Sequence, residues 1–349
     1  MRSSYSPEDV ILLLKDITGQ VEPQSTEERE KLIQAGKHYC EMLPIEYKPS
    51  DKYMQIYDEL VKVFAEKNAN AIGVLADQIM KAKGNNVVLV SLARAGIPIG
   101  ILLKHYISFK YNVDVPHYSI SIIRGRGIDK NAMKFLLDNY KAEDLLFVDG
   151  WTGKGAINHQ LEEALVDYPN VSKDLAVVAD PAGVAKYYGT REDLLIPSCC
   201  LNSTVSGLIS RTFLRDDIIG SDDFHGAVYY EELKDNDLSY AFIDAIEEHF
   251  KKDTVYTGVD FEDTGLDEAK RIAKEYNIHD INLVKPSIGE ATRVLLRRVP
   301  WKVLISDKCK DDIDVAHIIR LAEEKNVPVE YTKLAHYKAV GLIKEMADA

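Results

Sequence analysis

One local pattern constrains this chain more than any other: a short apolar run enters a small-residue turn, and an apolar helix follows. Asn86–Leu92 (NVVLVSL) is continuous and valine-rich, the turn Ala93–Gly96 follows it, and the spacing predicts a helix over Ile97–Phe109. Leu145–Val148 runs into the glycine-rich segment Asp149–Ala156 and a helix expected over Ile157–Val166. Leu175–Ala179 is a further apolar run, and His117–Ile123 alternates like a strand. Strands with no polar face are buried on both sides, and strands alternating with helices lie parallel under helical layers. The expected class is α/β with a mostly parallel sheet. Residues 1–84 read as mainly helical. Ser6-Pro7-Glu8-Asp9 has a capping serine, proline at the first helical position and acids in the first turn. Thr26–Met42 and Asp51–Lys83 carry apolar residues at helical spacing.

Asp244–Lys252 reads as the last helix of this unit. Beyond it the alternation resumes on a smaller scale. Strands are expected over Thr254–Tyr256, Lys302–Ser306 and Val327–Tyr331. Helices are expected over Leu266–Glu275, Gly289–Arg298, Ile313–Lys325 and Tyr337–Met346. This divides the 349 residues into domains 1–252 and 253–349. With 43 basic and 56 acidic side chains, the formal charge is −13. Such a surface does not attract nucleic acid as a whole, so any such role needs a local basic patch. Lys285, Arg293, Arg297, Arg298 and Lys302, set against Glu290, form the clear one. No apolar run approaches the roughly 20 residues that span a bilayer, and no signal-peptide core follows the N-terminus. The expectation is a cytoplasmic protein with no membrane partner. Cys40, Cys199, Cys200 and Cys309 have no metal-ligand spacing and do not suggest a disulfide framework.

Open parallel sheets bind ligands at the carboxyl ends of their strands. In Ser91–Gly100, Ala95 and Gly96 permit close backbone approach, and the following helix offers free amides to an anion. Arg94 adds a two-pronged phosphate donor. In Asp149–Ala156, Gly153 and Gly155, the Thr152 hydroxyl, the Lys154 cation and the Ala156 amide suit a phosphate. Asp149 at the strand end suits sugar hydroxyls. The spacing differs from a Walker A loop, with Gly155 standing where a hydroxyl residue should follow Lys154. Between the turns, Arg124 and Arg126 on a glycine-flexible loop suit closure over an anion.

The Ala93–Pro98 stretch resembles the pyrophosphate loop of type I phosphoribosyltransferases, and Val148–Gly155 resembles their phosphoribosyl-pyrophosphate (PRPP) loop. In the second, Gly150 stands where a second acid is usual, and Gly155 where a threonine is. The whole chain resembles the bacterial StiP-like family linked to tellurite-resistance stress operons. That family joins a divergent phosphoribosyltransferase domain to a C-terminal Pelota-type, L7Ae-like RNA-binding domain. The resemblance is carried by Ser91–Gly100, Ile122–Asp129, Asp149–Ile157, Ile196–Thr212 and the C-terminal domain. It implies transfer of the phosphoribosyl group of PRPP to a base-like acceptor. Catalysis would fall to Arg94, Arg124, Arg126 and Asp149. Mg²⁺ would be bound with the substrate, Asp149 being the metal contact, and a homodimer is possible. Cys199, Asn202, Ser203 and Thr204, before a helix capped by Ser203 or Thr204, are expected to help recognise the acceptor. Gly289, Arg293, Arg297, Arg298 and Lys302 would face structured RNA.

Two other readings stand beside this one. Some members of the family are labelled cysteine proteases, and Cys199 or Cys200 could serve as nucleophile with His159, His225 and Asp180 as base and orienter. The altered PRPP loop also fits a non-catalytic regulator that senses PRPP or RNA.

Overall fold

A computed structural model describes residues 1–258 and 261–343. Its main sheet has six strands, in the order Ile11–Leu12, His117–Ile120, Val88–Leu92, Leu145–Trp151, Leu175–Ala179 and Tyr187–Thr190, and all are parallel. Successive side chains feed opposite cores, as a pleated strand requires. Leu89, Leu146, Val148, Ala176 and Val178 pack with helices Asp51–Lys83, Ile97–Tyr111 and Ser239–Glu247. Val88, Val90, Leu145, Phe147 and Val177 pack on the other face with helices Lys130–Asn139 and Ala156–Ala164. Burial on both faces explains the unbroken apolar runs.

The second sheet has four strands, in the order Val284–Pro286, Ala339–Ile343, Pro300–Ser306 and Val329–Thr332. Only its last pair is parallel. Its helices are Gly265–Glu275, Ile288–Arg297 and Ile313–Glu324. The two sheets are joined by one apolar core. Ile56, Leu60 and Phe64 of the long helix, with Leu195 and Cys200, pack directly with Ile288, Leu295, Val303 and Leu321. Three cross-links flank it: Lys67 to Asp314 at 2.5 Å, Arg320 to Glu59 at 2.6 Å, and Lys52 to Glu324.

Several expected elements differ. Ser6–Asp9 makes a single turn, because Ile11–Leu12 gains a place at the sheet edge beside Tyr118 and Ser119. The helix expected over Thr26–Met42 stops at Gln34, where Gly36 takes a φ of +88°. The last helix of the larger unit is Ser239–Glu247, earlier than Asp244–Lys252. Thr254–Tyr256 is not a strand, since both backbone groups of Val255 bond to the side-chain amide of Asn70. Tyr337–Met346 is not a helix. Ala339–Ile343 is one of the two inner strands of the small sheet, and the residues after it lie outside the described ones. A fully buried run carries no period by which helix and strand can be told apart. Strands Tyr187–Thr190 and Val284–Pro286 gave no clear sequence signal.

Candidate active site

The cleft is founded on Gly96. A Cβ there would lie 2.4 Å from the Val148 carbonyl oxygen, so only glycine lets the first turn abut the strand that carries Asp149. Gly100, one turn into the helix, leaves space filled by His117 and Ser91, which bond to each other at 2.7 Å. The two turns, on adjacent strands, share one cleft of about 310 Å³. Ala95, Arg124, Asp149, Trp151, Gly153, Lys154 and Ala156 line one side of it, and C-terminal residues line the other. A neighbouring pocket of about 100 Å³, lined by Arg94, Pro98, Cys199, Asn202 and Ser206, adjoins it through Ala95, Trp151 and Arg293.

Asp149 takes one hydrogen bond, from its neighbour's amide (Gly150 N to Oδ1, 2.8 Å). Burial, only partly offset by that bond, pushes its carboxyl up to about 7. Arg124 lines the cleft, and its amide donates to the Tyr39 hydroxyl at 3.0 Å. Its loop is a short hairpin, Ile122–Ile123 against Gly127–Ile128, anchored to Gln160 by the Gly125 amide. Gly155, at a φ of +83°, opens the helix that begins with Ala156.

Other expected site residues are engaged elsewhere. Arg126 is turned away and pairs with Glu41 at 2.9 Å. The Thr152 hydroxyl is fully buried and donates to Asp180 at 2.5 Å, so it is not offered to a phosphate. Lys154 lines the cleft but donates to the Ile281 and Val284 carbonyls at 2.6 and 2.9 Å. Burial, with Lys285 nearby, holds its ammonium down at about 8. Arg94 donates to the Ile209 carbonyl at 2.8 Å and borders the smaller pocket. Ser203 and Thr204 cap no α-helix. They sit in a single 3-10 turn, their hydroxyls buried with no partner among the described residues. Asn202 lines the smaller pocket while its Oδ1 accepts from Arg297.

The expected RNA face divides. Gly289 packs on Cys199, whose Sγ would lie 3.5 Å from a Cβ at that position. The adjoining Ile288 amide donates to the buried Asp193 carboxylate at 3.0 Å. Arg297 is half-buried, bonding Asn202 and the Cys200 carbonyl. Arg293 turns into the cleft beside Glu290. Arg298 is exposed, and Lys302 pairs with Glu330 at 2.5 Å while lying over Tyr276. The sequence showed Arg293, Arg297, Arg298 and Lys302 within one basic patch because spacing along a chain does not reveal which face a neighbour will cover.

The described residues contain no cluster of three or more His, Cys, Asp or Glu able to hold a metal ion. Asp149, a lone carboxyl pushed up to about 7, is a poor ligand set by itself. The residues present therefore do not form a protein-built Mg²⁺ site.

The expected thiol triad is not assembled. Cys199 and Cys200 are buried 3.8 Å apart, and Cys200 together with burial holds the Cys199 thiol well above its ordinary value. His159 lies exposed beside Glu163, His225 bonds Ser121, and Asp180 serves Thr152 and Arg191. A different pair is in contact: His38 Nδ1 stands 3.0 Å from Cys40 Sγ. Cys40 itself is fully buried. The H-Y-C spacing was the available sequence signal, and a two-residue spacing in a turn is too common to have marked it.

The family described as "Tellurite-like stress resistance cysteine protease StiP" matches residues 3–247, and the PELOTA RNA binding domain matches residues 263–345. The cysteine protease StiP of Acinetobacter baylyi is 36% identical over 365 aligned residues, which cover 98% of this chain and 94% of that protein. Among solved structures, a hypoxanthine-guanine phosphoribosyltransferase of Bacillus anthracis aligns at 18% identity and a TM-score of 0.27, covering 36% of this chain and 77% of that one. A hypothetical protein of Neisseria gonorrhoeae with bound ppGpp aligns at 14% identity and a TM-score of 0.25, covering 35% of this chain and 77% of that one. A family match over most of the length and a relative matching nearly all of it show that this chain belongs to the StiP family and ends in a PELOTA RNA-binding domain.

Proposed function

We propose that this protein binds PRPP in the cleft and transfers its phosphoribosyl group to a base-like acceptor. One observation carries the reading: two glycine-dependent turns at the carboxyl ends of adjacent parallel strands share a cavity floored by Asp149. Open parallel sheets place their ligands there. Asp149 orients the ribose hydroxyls. The Ala95 turn and Arg124 face the pyrophosphate end, and the Gly153–Ala156 turn faces the 5′-phosphate. A lone pair on the acceptor nitrogen forms the bond to the ribose anomeric carbon. The carbon–oxygen bond breaks, pyrophosphate leaves with that electron pair, and the acceptor's proton passes to solvent. The smaller pocket beside Cys199 and Asn202 is where the acceptor enters. Mg²⁺ belongs to the substrate in this reading, arriving on the pyrophosphate. Calorimetric titration with PRPP and Mg²⁺ tests it. Asp149→Asn should abolish binding while the protein still melts cooperatively, and unchanged binding would remove the assignment. Turnover with any base would exclude a purely regulatory role.

A second reading, peptide hydrolysis by a thiol, is favoured by the contact between His38 and Cys40 and by the name of the Acinetobacter baylyi relative, a cysteine protease. Burial raises the Cys40 thiol, so the Tyr39–Glu41 turn has to open for a substrate to reach it. Hydrolysis of an unfolded protein substrate by wild type, lost in Cys40→Ser but kept in a Cys199→Ser/Cys200→Ser variant, would support it. Equal hydrolysis in all three would eliminate it.

A further inference from the structure

The cleft has a wall that the parallel sheet does not supply. Asn282, Lys285, Pro286, Glu290 and Arg293 all come from the C-terminal domain. This wall is built in. Lys154 is bonded into the Ile281 and Val284 carbonyls, the Tyr337 hydroxyl donates to the Gly153 carbonyl at 2.7 Å, and Asp193 takes the Ile288 and Lys338 amides. The shared apolar core lies behind it.

Counting the charged side chains around the cleft gives four cations (Arg124, Lys154, Lys285, Arg293) against two acids (Asp149, Glu290). Two of the four belong to the C-terminal domain. The Lys285 ammonium is half-buried and has no hydrogen-bond or ion-pair partner among the described residues, and burial lowers its pKa. Withdrawing a cation from water without a partner is costly. The cost is recovered when an anion arrives between Lys285 and Arg293.

We propose that Lys285 and Arg293 are substrate-binding residues, so that the cleft takes a diphosphate anion between the two domains. The inference rests on the anionic-substrate reading above and adds the C-terminal domain to its site. Phosphates of RNA share this chemistry, and the geometry favours a small anion because the pair lines the same cleft as Asp149, Arg124 and Lys154, while Arg298 lies outside it on the exposed surface.

Full-length protein titrated with inorganic pyrophosphate tests this without the ribose. Lys285→Ala and Arg293→Ala should each weaken pyrophosphate binding about tenfold, the effect of losing one charge-assisted hydrogen bond. Lys285→Arg should restore part of it, and the denaturation midpoint should hold. Wild type that fails to bind pyrophosphate, or binds it no better than the double alanine variant, would overturn the inference. Variants that lose binding to a structured RNA while keeping pyrophosphate affinity would overturn it in favour of RNA. Pyrophosphate binding sensitive to both residues, together with no PRPP binding by wild type, would support this wall and sink only the phosphoribosyl reading.

Discussion

The two turns that floor the cleft have similar architecture and opposite allegiance. Ser91–Gly100 is held from within the parallel-sheet domain: Gly96 presses on Val148, Gly100 on His117, and Arg94 bonds Ile209. Asp149–Ala156 faces the other way. Gly153 accepts from Tyr337 and Lys154 reaches into the C-terminal backbone, while Thr152 braces Asp180 within its own domain. A glycine-rich strand-to-helix turn can therefore shape a site or fasten a domain. Which of these it does is set by what stands opposite, not by its own composition.

The comparison breaks hardest at Gly96. Gly96→Val pushes side-chain carbon into the Val148 carbonyl and should destabilise the fold by about 3 kcal/mol in urea melts. It should also spread the two turns and abolish ligand binding. A variant as stable as wild type would mean that the turns are not locked together there.

Thr152→Val tests whether the second turn spends its hydroxyl on structure or on a ligand. It strips the buried Asp180 of a hydrogen bond and should cost about 1–3 kcal/mol of stability. Anion affinity should stay within a factor of about two, because a fully buried hydroxyl offers nothing to the ligand. A fall of about tenfold or more would return Thr152 to the phosphate site.

Asp149 sharpens the contrast through pH. Its folded pKa, about 7, lies above the ordinary 3.8, so folding favours the protonated form. Its contribution to stability is fully present below about pH 4 and is lost as pH rises through about 7. Melting temperatures of wild type should fall relative to Asp149→Asn across that window. Asp193, also pushed up to about 7 by burial, keeps part of the slope in both proteins. Parallel curves would show that Asp149 is already ionised when folded.

Arg126→Ala should have the smallest effect. Its pairing with Glu41 is partly exposed and contributes at most about 1 kcal/mol. Ligand affinity should not change, since the side chain points away from the cleft. A clear loss of affinity would show that the hairpin closes over the ligand.

The sheet was readable because doubly buried parallel strands leave an apolar run with no competing period. The turns were readable because close backbone approach calls for small residues, and at Gly96 for glycine alone. Side-chain roles within the turns were less readable. Thr152 and Lys154 have the chemistry for a phosphate, but partners some 30 to 130 residues away in sequence claimed them first. Tyr337–Ile343 misled for a related reason, since complete burial erases the amphipathic pattern that distinguishes helix from strand. No membrane-spanning helix was expected, and none of the described helices is long and apolar enough to cross a membrane.

By itself, then, the sequence determined the α/β alternation, the two small-residue turns at strand ends and the presence of a basic segment in the second domain. These are local properties, fixed by period, backbone freedom and charge. Only the tertiary structure decided that Arg297 would be tied to Asn202 and the Cys200 carbonyl, that Arg293 and Lys285 would turn into the cleft, and that Arg298 would remain outside. The physical reason is the core joining the two sheets: docking the Ile288–Arg297 helix against the Pro197–Cys200 turn, within that core, places one basic segment in three environments, and no spacing along the chain encodes that placement.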